Sequence, residues 1–156
     1  MRIIKLMCII LIQLLTGCIE NEPRYRTHPD FFEYIRDFEY DLGTQVNVSI
    51  IYTEVLSSYA VGTCITYEGS GYRYIKIKKS YWEVINEDQR IQLVYHELGH
   101  CQLNILNHDE SVMANNNSCP NSFMRSRVFT RKEIKQCFSR YIDNYIMDLK
   151  IKSGLL

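Results

Sequence analysis

Several things are scarce in this sequence of 156 residues, and each scarcity excludes something. Prolines number three, and there are no internal repeats or low-complexity tracts, which argues against a solenoid or a disordered, biased chain. There is no excess of charge of either sign, with 18 basic against 18 acidic residues, and the basic ones are scattered. A nucleic-acid footprint is therefore not expected. No apolar run is long enough to span a bilayer as a helix, which takes roughly 20 residues. The length suits one compact domain with its own core rather than two. What the sequence does have is 46% hydrophobic residues and six cysteines, and the meaning of the cysteines depends on the compartment.

The N-terminus addresses the compartment. Arg2 and Lys5 precede or interrupt a short apolar stretch reaching Leu15, which meets Leu15-Thr16-Gly17-Cys18. A positive start, a short apolar core and small residues at its end predict an export signal. The LTGC string resembles the bacterial lipobox, which implies cleavage before Cys18 and acylation of its thiol. On that reading residues 1–17 are the signal, 18–29 a lipidated tether with two prolines and no hydrophobic period, and 30–156 the folded domain. Removing Arg2 and Lys5 leaves 16 basic against 18 acidic residues, since the signal contains no acid. Acyl chains contribute about 0.8 kcal/mol per buried methylene, so Cys18 would hold the protein at a membrane. Ile19 rather than aspartate after the cysteine favours the outer membrane over the inner. Four cysteines then remain, Cys64, Cys101, Cys119 and Cys137, an even number that in an oxidising compartment reads as two disulfides.

The folded part reads as α+β. Phe31, Tyr34, Ile35, Phe38 and Leu42 recur at helical spacing before Gly43. Three β-rich stretches follow, Val46 to Tyr52, Val61 to Tyr67 and Tyr72 to Lys78, the last two joined by a turn-rich Glu68-Gly69-Ser70-Gly71 that predicts a hairpin. Asn86, with Gln89 three residues on, starts a helix expected to reach about Leu103, with Ile91, Val94, Leu98 and Cys101 as its buried stripe. The polar stretch from Asn107 to Ser122 is expected to be loop. A last helix runs from about Arg131 to Lys150, capped by Thr130 with Glu133, and buries Ile134, Phe138, Tyr141, Ile142 and Tyr145. Trp82 and the tyrosines read as packing, and the cations from Arg125 to Lys135 as a solvated face.

Chemistry concentrates at His96-Glu97-Leu98-Gly99-His100 on the second helix. At 100° per residue the two histidines differ by about 40°, so both imidazoles reach one metal ion, and Glu97 sits at the edge of that face beside a metal-held water. Two neutral imidazoles favour zinc, which in catalytic sites takes three protein ligands. His108 is the leading third ligand, because His28 falls in the tether. Asn104 and Asn107 tolerate left-handed backbone, so the helix can end near Asn104 and return His108 to the metal.

The run HELGHCQLNILNHDESVM resembles the metzincin zinc peptidases, and more closely a group of small bacterial HELGHC-type metallopeptidases and lipoproteins, over roughly residues 60–115. The resemblance implies a small metzincin-like domain with His96, His100 and His108 as ligands, Glu97 as the base, and Met113 as the methionine of a Met-turn. It departs from the metzincin pattern in having seven residues between His100 and His108 where that motif has five, and no glycine between them. Asp109 is an alternative third ligand, and Glu133 is another in the gluzincin manner. The implied activity is peptide hydrolysis on a peptide or protein substrate, with the Val61 to Tyr67 strand as its docking edge, by a monomer. A lipoprotein that keeps the motif without turnover is the competing expectation. Four cysteines allow three pairings, of which element order favours Cys64 with Cys101 and Cys119 with Cys137.

Overall fold

A computed structural model describes residues 25–57, 59–114 and 116–156. The expected signal, Cys18 and the first part of the tether lie outside the described residues.

Pro29–Phe31 forms a single 3-10 turn that leads into α1, Phe32–Leu42, which ends where Gly43 takes the left-handed conformation (φ 68°). The sheet is built from β1 (Ser49–Thr53), β2 (Gly62–Thr66) and β3 (Arg73–Lys78) in the order β1-β3-β2. β2 and β3 form the expected antiparallel hairpin, with Cys64 opposite Ile75 and Thr66 opposite Arg73, while β1 runs parallel to β3. A short α2 (Lys79–Trp82) precedes α3 (Glu87–Cys101). The chain then makes a small antiparallel pair, β4 (Val112–Met113) with β5 (Asn116–Pro120). The final helical region opens with α4 (Arg131–Glu133), widens into a π turn over Ile134–Phe138, and continues as α5 (Ser139–Ser153). This is a small α+β domain.

One face of the sheet packs Ile50, Ile75 and Ile77, all fully buried, into the main core with Val94 and Leu98 of α3. Tyr74 is buried as well, within a group of rings: Tyr25 lies 4.5 Å from it, and Tyr67 and Tyr72 each 6.0 Å. Trp82 sits edge-on to Phe31 and Tyr34, so tyrosines and tryptophan serve packing as expected. Two disulfides form, Cys64 with Cys101 and Cys119 with Cys137, the pairing that element order favoured. The first fastens β2 to the end of α3 across 37 residues and the second fastens β5 to the π turn across 18. Loops of these lengths correspond to about 3 to 4 kcal/mol each in the chain-entropy account.

Four expectations change. Residues 25–29 are not tether: the His28 N–H donates to the Ile50 carbonyl (2.9 Å) and the Ser49 hydroxyl to the Tyr25 carbonyl (2.7 Å), so this segment lies along the outer edge of β1. Proline and mixed charge removed the hydrophobic period there but left the backbone free to pair. The stretch after Asn107 contains β4 and β5. α3 is buried nearly all round, from Gln92 through Gly99, and not along one stripe. Finally, Arg125 departs from the expected solvated face, being largely covered and paired with the buried Glu133 (3.4 Å); Arg127 also pairs with Glu133 (2.7 Å) but is exposed, as are Arg131, Lys132 and Lys135.

Candidate metal centre and its surroundings

α3 begins on a complete capping box, in which Asn86 accepts from the Gln89 N–H and the Gln89 side chain accepts from the Asn86 N–H. One turn separates His96 from His100, and their Nε2 atoms approach to 3.1 Å. His108 joins them because α3 stops at Cys101 and Asn104 turns the chain with φ 58°, the one positive φ outside glycine among the described residues. Its Nε2 lies 3.1 Å from that of His100, and the three histidines place one ligand atom each within 4.8 Å of one another. His28 is elsewhere, packed edge-on against Phe31 and Tyr52.

The partners of the other ring nitrogens decide what this cluster can hold. His96 Nδ1 faces the Phe123 carbonyl at 3.0 Å and His100 Nδ1 faces the Ile105 carbonyl at 2.6 Å. A carbonyl only accepts, so each Nδ1 carries the proton and each Nε2 presents a bare lone pair. Two such lone pairs at 3.1 Å cannot bond to each other, and a cation shared between them would satisfy both. The spacing fits one: ligands at 2.0 to 2.1 Å in a tetrahedron stand about 3.3 Å apart. Burial also keeps both rings neutral, pushing His96 down to about 4 and His100 down as well.

Glu97 lies beside them, buried, with Oε2 lacking any hydrogen-bond partner among the described residues. Burial pushes its carboxyl up to about 8 in the metal-free chain. Its place is set by Gly62 on β2, where a Cβ would collide with the Glu97 carboxyl group. The two groups line one cavity of about 720 Å³ together with the three histidines, Arg73, and the segment from Arg125 to Val128.

A spine of main chain holds the cluster. Gln92 Nε2 donates to the Phe123 carbonyl and its oxygen accepts from the Phe129 N–H, while Gln89 Nε2 donates to the Phe129 carbonyl. The next carbonyl, that of Met124, accepts from the Asp109 N–H at 2.8 Å. Met124 itself is fully buried against Gly99, where no Cβ would fit. Met124 is thus a methionine packed against the histidine helix. Met113, the residue expected for a Met-turn, is buried and lines a cavity with Ala114, Asn121, Tyr141 and Asn144.

Among the described residues the cluster whose ligand atoms converge is the three histidines, and the two carboxylates considered as alternatives have other partners. Asp109 accepts from the Ser111 N–H and from Lys152 Nζ (2.9 Å each), and the Ser111 bond, helped by Lys152, holds its carboxyl down at about 2. Glu133 spends both oxygens on Arg127, Thr130 and Arg125. Burial raises its pKa, but the Arg127 bonds outweigh this and leave it at about 2.

The opposite shifts at His96 and Glu97 predict how metal-free stability depends on pH. Unfolded histidine binds a proton below its ordinary 6.5 while folded His96 refuses it down to about 4, so stability falls as pH drops below 6.5. Folded Glu97 keeps a proton between 4.5 and about 8 that the unfolded chain releases, so stability falls as pH rises through that range. Between 4.5 and 6.5 the two effects oppose each other. Urea unfolding of the metal-free protein should show a plateau there, with a decline towards pH 8 that Glu97→Gln removes.

Sequence reasoning placed Gln89 in the capping box but missed its bond to Phe129, and it missed the roles of Gly62, Gln92, Met124 and the carbonyls of Ile105 and Phe123. Backbone acceptors carry no side-chain signature, although two glutamines on an otherwise apolar side of α3 are a signal for buried amide bonds.

Residues 58–125 match the family model described as "Putative phage metallopeptidase". No curated protein and no solved structure matches the chain. The match spans β2, β3, α3, His108 and the Phe123–Met124 spine, the segments that assemble the histidine cluster. The match supports a metallopeptidase-like domain, and the three histidines within it are placed so that they could hold a metal ion.

Proposed function

We propose that the protein is a zinc-dependent endopeptidase held at the bacterial envelope by acylated Cys18, in the outer membrane. The observation that carries the catalytic part is the pair of bare Nε2 atoms on His96 and His100, joined by His108, beside an unpartnered buried carboxylate. Three imidazoles favour zinc and leave a fourth position open. When bound, such an ion lowers the pKa of water from 15.7 to roughly 7 and polarises a carbonyl. Glu97 accepts the proton of the attacking water and delivers it to the leaving amine. Burial suits it to both roles, since an uncompensated carboxylate there is a ready base.

The substrate is an extended peptide. β2 is an edge strand, paired on one side with β3 and with no other described strand on its outer side, and Val61, Gly62 and Thr63 line the cavity. A peptide adding to that edge would hydrogen-bond through its main chain and bring a scissile carbonyl to the histidines. The support for anchorage is the LTGC string. Among the described residues no helix is long and apolar enough to cross a membrane.

The direct test counts zinc in the purified protein and follows cleavage of a mixed peptide library. One zinc per chain with chelator-sensitive cleavage is expected; zinc without hydrolysis of any peptide would favour a binding role instead. Labelling with a radioactive fatty acid that is lost in Cys18→Ser tests the anchor. Gly62→Ala separates chemistry from metal binding, because the new methyl displaces the Glu97 carboxyl group. Misplacing a catalytic group by about 1 Å costs on the order of 10²-fold, so kcat/KM should drop by that factor with zinc content unchanged.

A further inference from the structure

We propose that Lys152, on the last helix, is a positioning residue for the third metal ligand, acting on His108 through Asp109. The inference rests on the reading of the histidine cluster as a zinc centre. His96 and His100 are set by a buried helix, but His108 sits in an exposed loop whose neighbours Leu106 and Asn107 are exposed too. Three points fix that loop: Ile105 before His108, and after it Asp109 and Glu110, the last accepting from the Ser126 N–H (2.8 Å) and from Arg125 Nε (3.1 Å). Before His108, Ile105 is buried and its N–H donates to the Gly99 carbonyl (3.0 Å). After it, Asp109 is held on three sides: its N–H by the Met124 carbonyl, one carboxyl oxygen by the Ser111 N–H, and the other by Lys152 Nζ.

Lys152 is the member of this set that comes from a distant element, 43 residues away in sequence. It is itself aimed by Asp148, one turn earlier on α5, with which it forms a close ion pair. Asp148 also accepts from the Ser122 hydroxyl, and that hydroxyl oxygen accepts from the Met124 N–H (2.9 Å). One turn of α5 thus grips Asp109 twice, directly through Lys152 and indirectly through the main chain of Met124. Lys152 and Asp109 are each about a quarter exposed, so solvent only partly screens their pairing. Its value is geometric, because it removes freedom from the one ligand that no helix carries.

The test measures zinc dissociation constants by competition with a chromophoric chelator, on the full-length chain. Lys152→Met should weaken binding about tenfold, in the range seen when an outer-shell support is lost. Lys152→Arg should restore it. Asp109→Asn keeps an acceptor for Ser111 but loses the counter-charge; it should weaken binding alike, and Lys152→Met should add nothing to it. In a His108→Ala background Lys152→Met should have no effect. Wild-type affinity in Lys152→Met, or the same loss with and without His108, overturns the proposal. A wild-type protein that takes up no zinc overturns the metal-centre reading and this proposal together, whereas tight wild-type binding untouched by Lys152→Met overturns only the second.

Discussion

Glu97→Gln should reduce peptide cleavage by about 10²- to 10⁴-fold, the usual contribution of a positioned general base, while the protein still binds one zinc per chain. The substitution is close to isosteric, so Gly62 still accommodates the side chain and α3 keeps its packing. What disappears is the ability to accept a proton. Among the described residues the site offers no replacement: no aspartate lines the cavity, and Glu97 is its one carboxylate. The histidines are held by Phe123 and Ile105, neither of which touches Glu97 through a hydrogen bond, so metal content should be preserved. Single-turnover cleavage together with zinc analysis of the same preparation gives the answer. A mutant that cleaves at the wild-type rate would sink the assignment of the base.

The second large effect distinguishes ligand from scaffold. His108→Ala should weaken zinc binding by more than the 10- to 100-fold that the loss of an outer-shell partner costs. Glu133→Ala should leave zinc affinity unchanged and lower folding stability instead, by at least the roughly 1 kcal/mol of a helix cap. The reason is visible in its bonds: Glu133 closes the Thr130 capping box and neutralises Arg127 and Arg125 on the far wall of the cavity. Zinc titration and urea denaturation of both variants should therefore show crossed outcomes. Equal loss of zinc in both would return Glu133 to consideration as a ligand.

The features legible from sequence were those written in side-chain spacing. The one-turn interval of His96 and His100, the capping boxes at Asn86 and Thr130, the β2-β3 hairpin and the left-handed residue at Asn104 all follow from local rules that the surroundings did not overrule. The disulfides followed from element order. What could not be read was set by groups that sequence does not display or by contacts between distant segments. The carbonyls of Ile105, Phe123 and Met124 belong to every residue type equally. Met124 packs against Gly99 through a contact between distant segments, which no local spacing displays. Arg125 looked like surface because its partner Glu133 has ordinary capping credentials of its own.

The segment from Tyr25 to Pro29 has one more consequence. It occupies the outer edge of β1, and β1 and β2 are the two margins of a three-stranded sheet, about 10 Å apart at the usual strand spacing. The chain thus enters the domain at one margin, and the cleft opens along the other. A peptide pairing with the free edge of β2 would therefore not have to compete with residues 25–29 for strand pairing, and substitutions in that segment should alter folding stability while leaving turnover of small soluble peptides unchanged.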